Sequence, residues 1–409
     1  MGEWIDTTIG EQVTLQRGID ITKVDQREGL IPVISSGGTS SYHDTAAASG
    51  PGVVLGRKGV IGSVYYVQSD YWPHDTTLWV KNFHDNEPRF VYYFFRWMTR
   101  RLGMMDVGSA NPTLNRNHVY PIRIRWPESI FDQDAIASIL GALDDKIDLN
   151  RRMNETLEAM ARAIFKDWFM HFGPTRAIME GRAPYLAPDV WSLFPDRIAD
   201  KEPPRGWRVE SLLDHANLIS GGTPKTDEPA YWNGPIEWAS AKDVSQCSDA
   251  FLISTERSIT QRGLNESATR IIPKFSTVVV ARGATTGRHC MFGRDMAMNQ
   301  TCYALSSSRG RPFWLNCAFE SLVAELVHAA HGSVFDTITT RTLQGALCAA
   351  PDAPLLDRFE SLVQPLFLQV LANVEQSRTL AGTRDLLLPK LMSGEIRVRE
   401  AEKAIEAAA

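Results

Sequence analysis

The chain has few cysteines and no apolar run long enough to span a bilayer. Its five cysteines are Cys247, Cys290, Cys302, Cys317 and Cys348, and none forms a CxxC pair. An odd, scattered set predicts buried thiols in a reducing cytoplasm, rather than a zinc site or a disulfide framework. No apolar run approaches the roughly 20 residues that cross a membrane. We therefore expect a cytoplasmic protein with no membrane partner.

Positive charge is also scarce. The formal net charge is -5, which disfavours a protein that holds nucleic acid alone by neutralising phosphates. This net charge does not exclude a protein that shares the neutralisation of phosphates with a partner. Residues 1–130 contain 13 basic and 13 acidic residues, and residues 204–353 contain 14 of each. Segments near neutrality suit the reading of bases more than non-specific adhesion.

Catalytic motifs are missing too. The sequence contains no GxxxxGK[ST] loop and no GxSxG elbow. The nearest approaches to an amino-methyltransferase motif, NPTL at 111 and DAPL at 352, do not fit it. We therefore predict no catalytic residue, no metal ligand and no cofactor in this chain.

What is present is an internal repeat. At a shift of 203 residues, four landmarks in the first half coincide with four in the second: Trp4, Leu15, Gly18 and Pro32 with Trp207, Leu218, Gly221 and Pro235. Further on, VVLGRKGVIG at 53–62 matches VVVARGATTG at 278–287 at a shift of 225. The second copy therefore carries an insertion, and two equivalent halves are predicted.

Each half ends in a long helical pattern with apolar residues at a spacing of three and four. These heptads predict two helices that pair as an antiparallel coiled coil, each a rod of roughly 55 Å. Polar residues near the middle would fix the register of the pair. Packing of each helix on its own globular part is the alternative. The predicted contact residues are Leu143, Ile147, Asn150, Asn154, Leu157, Ile164, Trp168, Leu366, Val370, Asn373, Leu380, Leu387 and Leu391.

The predicted fold class is α+β, with two mixed α/β domains separated by the two antiparallel helices. The predicted boundaries are 1–130 for the first domain, 131–170 for its helix, 171–203 for an extended linker, 204–353 for the second domain, 354–398 for its helix and 399–409 for a tail. Pro389 interrupts the last helix, which we expect to kink or stop near Leu388. Beyond it, Gly394 is the predicted stop signal.

Polar and basic side chains recur in the predicted turns of both domains. Arg pairs with guanine, Asn with adenine, and Ser or Thr with either base. For any one residue, a solvated turn explains the pattern equally well, but the duplication favours DNA contact. The candidates are Ser35, Ser36, Arg57, Lys58, Asn111, Asn115, Arg116, Lys225, Lys242, Arg282, Thr285, Thr286, Arg288, Thr337, Thr339 and Arg341.

Several strings give the chain a family resemblance. IFKDWF at 164–169 ends the first helix, LFPDRIADKEPPRGW at 193–207 lies in the linker, and LLLPKLMSGEI lies near the end. With IPVISSGG at 31–38, these strings make the chain resemble the specificity subunit of type I restriction–modification systems. The resemblance covers nearly the whole chain.

The resemblance implies that each domain is a target recognition domain for one half of a split site in double-stranded DNA. Because the halves share framework rather than loop sequence, an asymmetric target is expected. It implies two methyltransferase subunits docked on the helices, to which two restriction subunits can be added. S-adenosylmethionine, ATP and Mg would then belong to those partners. Two other interpretations stay open: a coiled-coil interaction scaffold without DNA readout, and a self-contained methylase or nuclease.

The helix pattern makes one prediction of its own. A rod of roughly 55 Å exceeds one turn of B-DNA, about 34 Å, so unread base pairs would separate the half-sites. Inserting one heptad into both long helices is expected to change the spacer and leave the half-sites unchanged. Sequencing of methylated sites would measure both, and altered half-sites would exclude a spacer role for the helices.

Overall fold

The computed structural model describes residues 3–104, 113–198, 203–331 and 337–406, and it divides into two compact units. The first unit consists of residues 1–148 with 378–409, and the second of residues 149–377. Each long helix therefore contributes to both units. No helix in the described part of the chain combines the length and apolarity needed to cross a membrane.

The strands are β1 (Trp4–Thr8), β2 (Thr14–Arg17), β3 (Ile31–Ser35), β4 (Gly38–His43), β5 (Gly52–Gly56), β6 (Val64–Val67), β7 (Trp72–Pro73), β8 (Thr77–Asn82), β9 (Arg123–Pro127), β10 (Arg208–Ser211), β11 (Ala216–Ser220), β12 (Trp232–Ala239), β13 (Phe251–Leu252), β14 (Arg257–Ile259), β15 (Ile271–Ile272), β16 (Thr277–Val280), β17 (His289–Phe292), β18 (Met296–Met298), β19 (Cys302–Ser307) and β20 (Leu347–Ala350).

The α-helices are α1 (Ile9–Gln12), α2 (Pro88–Gly103), α3 (Arg116–Val119), α4 (Ile130–Phe165), α5 (Gly173–Met179), α6 (Pro188–Trp191), α7 (Ala241–Gln246), α8 (Gln261–Asn265), α9 (Pro312–His331), α10 (Thr340–Gln344), α11 (Ala353–Ser393) and α12 (Val398–Glu406). A π-helical turn, Lys166–Met170, continues α4, and short 3₁₀ turns occupy Leu212–Asp214 and Pro229–Tyr231.

In the first unit, a sheet of order β2-β8-β5-β6 lies beside a smaller sheet of order β4-β3-β7. Strand β5 (GVVLG) is buried throughout, as expected for an apolar run in the middle of a sheet. Helix α2 packs on this sheet, because it buries one aromatic face that includes Phe90 and Phe94. Strands β1 and β9 pair separately, antiparallel.

The second unit repeats this plan with additions. Its larger sheet has the order β11-β19-β16-β17-β13, and its smaller sheet the order β14-β12-β18-β15. Strands β10 and β20 pair as β1 and β9 do. Strand β14 pairs with β12 as β4 pairs with β3, whereas α7, α8 and the short strands β13 and β15 have no counterpart in the described part of the first unit. The mixed helix and strand composition predicted from the sequence is therefore confirmed.

The alignment of the two halves needs one correction. Leu114 donates its N–H to Arg57 O, and Ile338 donates its N–H to Ala281 O. Both members of these bonds are 224 residues apart, so the ends of β5 and β16 correspond at a shift of 224, not 225. The predicted register over 53–58 is therefore wrong by one residue. The second turn, 281–287, is one residue longer than the first, 57–62, and the shift of 225 holds only beyond it. Lys58 is consequently equivalent to Arg282.

Within the first unit, the start of α4 packs against the end of α11. Ile136, Leu140 and Leu143 share one core with Leu387 and Leu391, all of them buried. A charged network crosses the same pair of helices. The Arg384 guanidinium donates to Asp144, which also accepts from Tyr93 at 2.7 Å and from Arg96 at 3.2 Å. Within this unit, each helix therefore packs both on the other and on the globular part, so the two interpretations of the heptads are both partly right.

Within the second unit, the polar layer predicted for the helix pair is present. The Asn373 side-chain amide donates to Asn154 Oδ1 at 2.8 Å. Asn150 Nδ2 donates to Gln376 Oε1 at 2.9 Å and to Ser377 Oγ at 3.2 Å. All three asparagines are buried. A shifted helix would bury these amides without partners, so the layer favours one register.

Of the kink or stop expected near Leu388, the stop is wrong, because α11 continues through Pro389 to Ser393. The residues around the proline, Leu387, Leu388, Leu391 and Met392, are all buried in the core of the first unit. Gly394 ends the helix as predicted, with a φ of 74° that favours glycine. The segment predicted as a tail contains α12.

The end of the first long helix lies in the core of the second unit. Trp168, 2% exposed, contacts Phe359 of α11 and Phe194 of the linker with ring centroids 5.8 and 5.2 Å apart. Phe169 contacts Phe359, Trp207 and Trp314. The linker is less extended than predicted, because it forms α5 and α6 and buries Val190 and Phe194 in this core.

Candidate nucleic-acid interface

Several of the predicted DNA-contact residues of the first unit meet in one groove of about 550 Å³. Its lining includes Arg57, Asn115 and Arg116, which sequence analysis selects, and Gln16, Arg17 and Asn117, which it misses. Leu78 and Leu114 form its apolar floor. Three guanidinium groups and three carboxamides around an open groove can bond to nucleotide bases and phosphates.

Two backbone contacts hold this groove together. Leu114 donates its N–H to Arg57 O at 2.9 Å, and Lys58 and Thr113 form an antiparallel bridge. Asn115 then caps α3, because its Oδ1 accepts the N–H of Asn117 at 3.0 Å. The turn after β5 is thus fixed to the start of α3.

The groove's arginines are partly anchored. Arg116 Nη1 donates to Leu15 O at 3.3 Å, and Arg17 Nη2 lies 2.9 Å from Asp75 Oδ2. Burial, and then the charge of Arg17, lowers the pKa of Arg57, while Asp75 raises it. Arginine stays charged throughout the physiological range. The groove therefore presents positive charge close to one fixed carboxylate.

The second unit has the same frame with different side chains. Ile338 donates its N–H to Ala281 O at 2.8 Å, and Arg282 forms an antiparallel bridge with Thr337. Thr339 caps α10 by accepting the N–H of Thr342 at 3.1 Å. Arg282, Thr339 and Arg341 are exposed around this frame.

Three other candidates lie in the longer turn of the second unit or directly after it. Thr286 is half-buried and donates its hydroxyl to Gly283 O at 2.7 Å. Thr285 and Arg288 are exposed, and the Arg288 N–H donates to Thr285 O. The turn thus keeps its own hydrogen bonds while its basic side chains face solvent.

The remaining candidates lie elsewhere. Ser35 bonds within its own turn, because its Oγ donates to Gly38 O. Ser36 O accepts from the hydroxyls of Ser63 and Tyr65, which lie farther along the chain. Lys225 is exposed, and Lys242 Nζ lies 2.7 Å from Glu256 Oε2. Neither serine lines the groove of the first unit. Asn111 lies outside the described residues.

Among the described residues, one group combines metal-type ligands at close range. Asp20, His74 and Asp75 offer atoms within 4.8 Å of one another, beside the groove. These groups already have partners, since Asp75 binds Arg17 and His74 Nδ1 lies 3.1 Å from Thr76 Oγ1. The geometry is that of an ion-pair network, and we assign no metal to it.

Two of the three residues that sequence analysis misses lie on a strand, and the third lies on a short helix. Gln16 and Arg17 belong to β2, whose sequence predicts a strand and gives no sign of a groove. Asn117 falls within NPTLNRN, so the same turn motif could have indicated it. The place of Gln16 in the groove depends on the pairing of β2 with β8.

Comparison with known proteins gives matches over both units. Residues 1–159 and 204–343 match the family model described as Type I restriction modification DNA specificity domain. The chain is 27% identical over 317 residues to the type I restriction enzyme MjaIX specificity subunit of Methanocaldococcus jannaschii, covering 76% of this chain and 69% of that protein. It is 26% identical over 310 residues to the HindI specificity subunit of Haemophilus influenzae, covering 64% and 67%.

Among solved structures, the crystal structure of a type I restriction–modification S subunit from M. genitalium superposes with a TM-score of 0.62. The alignment covers 95% of this chain and 96% of that one, at 15% sequence identity. At this identity the likeness shows a shared fold.

Proposed function

This chain belongs to the Type I restriction modification DNA specificity family, and we propose that it reads a bipartite, asymmetric DNA target for a methyltransferase. Membership implies DNA target recognition and complex assembly, a non-catalytic role within the enzyme. The finer proposal is that each unit reads one half-site, that two methyltransferase subunits dock on the long helices, and that restriction subunits can join them. S-adenosylmethionine, ATP and Mg belong to those partners.

One observation carries the proposal: the same bridge-and-cap frame occurs twice with different side chains. Lys58 and Arg282 occupy equivalent positions, as do Asn115 and Thr339. The frame shared by the two units holds the turns in place, while the side chains on the turns determine which bases are bound. Two different sets of side chains therefore favour two different half-sites.

The test is co-expression with the methyltransferase subunit of the same system, followed by single-molecule sequencing of host DNA for methyladenine. The expected result is one split motif, methylated on both strands and lost when this chain is deleted. Absence of any motif, together with DNA binding by the purified complex that does not depend on sequence, would favour a coiled-coil scaffold instead.

The groove of the first unit gives a quantitative prediction. Changing both Arg57 and Arg116 to alanine should weaken binding of the target by at least about tenfold, since one arginine–guanine pair contributes about 1–3 kcal/mol. Titration of labelled target DNA with the complex, at one fixed salt concentration, measures this loss. The matched control changes Arg397 and Arg399, exposed residues of the same unit outside the groove lining. An equal loss of binding affinity in the control would show that net charge alone accounts for the effect.

A further inference from the structure

Two carboxamides in the groove of the first unit have no partner in the part of the chain that the structure describes. Among the described residues, the side chains of Gln16 and Asn117 hydrogen-bond to no other group of the protein, although both line the groove. Gln16 is half-buried at the end of β2, and Asn117 is exposed in the first turn of α3. Each therefore keeps a free N–H₂ donor and a free carbonyl acceptor.

Asn115 differs from them in this respect. Its Oδ1 accepts the N–H of Asn117 at 3.0 Å and so serves as the helix cap. Bidentate recognition of adenine needs a free acceptor for N6–H₂ together with a free donor for N7. Turning Asn115 towards a base would uncap α3, at a cost of about 0.5–2 kcal/mol. Adenine reading therefore suits Gln16 and Asn117 better than Asn115.

Among the described residues, the second unit has no carboxamide at either of the two equivalent positions. The strand register places Ile219 at the position of Gln16, because Gln16 pairs with Trp79 and Ile219 with Ala304. At the shift of 224 residues, Arg341 takes the position of Asn117. An apolar side chain and an arginine cannot bond to adenine as a carboxamide does.

We propose that Gln16 and Asn117 are specificity-determining residues that read A·T base pairs in the first unit's half-site. This inference rests on the proposed function. Arg57 and Arg116 line the same groove and can bond to guanine or to phosphate. The second unit reads its half-site without carboxamides at these positions. The two half-sites therefore differ in a definite way, with the carboxamide-read A·T pairs confined to one of them.

The experiment uses the full complex and two isosteric variants, Gln16→Glu and Asn117→Asp. A carboxylate cannot donate to adenine N7, but it accepts from cytosine N4. Each variant should bind the original target about 5- to 150-fold more weakly. Its methylated motif should lose one A·T requirement in one half only. Continued reading of the other half shows that the variant is folded. Gln68→Glu is the control, because Gln68 is an exposed amide of the same unit outside the groove lining.

The outcomes separate this inference from the function on which it rests. A split motif in the wild type, with both variants leaving it unchanged, would overturn the inference and leave the proposed function intact. Loss of a G·C requirement, or changes in both halves, would also overturn it. A wild-type complex that directs no methylation and binds DNA without sequence preference would overturn both.

Discussion

Replacing Trp168 with alanine is expected to lower the free energy of unfolding of the second unit by about 3–5 kcal/mol, the usual cost of removing a large buried aromatic. Trp168 is 2% exposed and contacts Phe359 and Phe194 edge to face. It joins the end of α4 to α11 and to the linker, so its loss would loosen three segments together. This loss is large beside the 5–15 kcal/mol that stabilises most domains.

Urea titration followed by peptide-resolved hydrogen exchange is the measurement, because it reports residues 149–377 separately from the rest. Met160→Ala is the matched control: Met160 lies on the same helix but is 48% exposed, so it should cost much less. A loss below about 1 kcal/mol for Trp168→Ala would contradict the packing described. It would indicate instead that the tryptophan faces a partner subunit.

The second unit is expected to lose about 3 kcal/mol of stability as the pH rises from 5 to 8, because of Glu360. This carboxyl on α11 is 8% exposed and accepts the N–H groups of Phe313 and Trp314, at 3.1 and 2.8 Å, where α9 begins. Burial raises its pKa from 4.5 to about 7, against the lowering effect of those two N–H groups and of Arg311.

The direction of the effect follows from the protonated form being favoured in the folded state. Below pH 4.5 the carboxyl is protonated whether the chain is folded or not, so the stabilisation is fully present. It is lost as the pH rises through the folded pKa of about 7, because the unfolded chain then releases the proton more readily. Arg311, whose charge lowers the pKa of Glu360, also lies 2.6 Å from Asp357.

Glu360→Gln should flatten this dependence, since the amide cannot ionise. The unfolding free energy of wild type and variant, measured by urea titration at each half unit of pH, gives the comparison. Glu325→Gln is the control, on an exposed glutamate of α9. A variant with the slope of the wild type would assign the pH dependence to another group. At the shift of 224 residues, the first unit has Ile136 in place of Glu360, so it should not share the effect.

Much of the helical architecture follows from the sequence, because apolar periodicity over five heptads is a strong signal. Leu143, Trp168, Val370, Leu387 and Leu391, five of the predicted contact residues, are all buried. The error at Pro389 shows where local rules fail. A proline inside a helix costs about 3 kcal/mol. Four buried side chains beside it each contribute about 1.5–3 kcal/mol, so packing outweighs the proline.

The candidate groove was only partly predictable. Turn residues such as Arg57 and Asn115 have a local signature, since Gly and Asn mark turns and caps. Gln16 and Arg17 have none, because their place in the groove depends on the pairing of β2 with β8, more than 60 residues away. The one-residue register error between the turns has the same origin. Only strand pairing shows on which side of the turn the extra residue lies.

The division of α11 between the two units has a consequence for biosynthesis. Leu387, Leu388, Leu391 and Ala401 complete the core of the first unit, whereas the second unit uses no residue beyond 377. The ribosome makes residues 1–148 before residues 149–377, but the last core side chains of the first unit emerge only after the second unit is complete. The unit that is begun earlier therefore finishes folding later, and its apolar surface is exposed to chaperones in the interval.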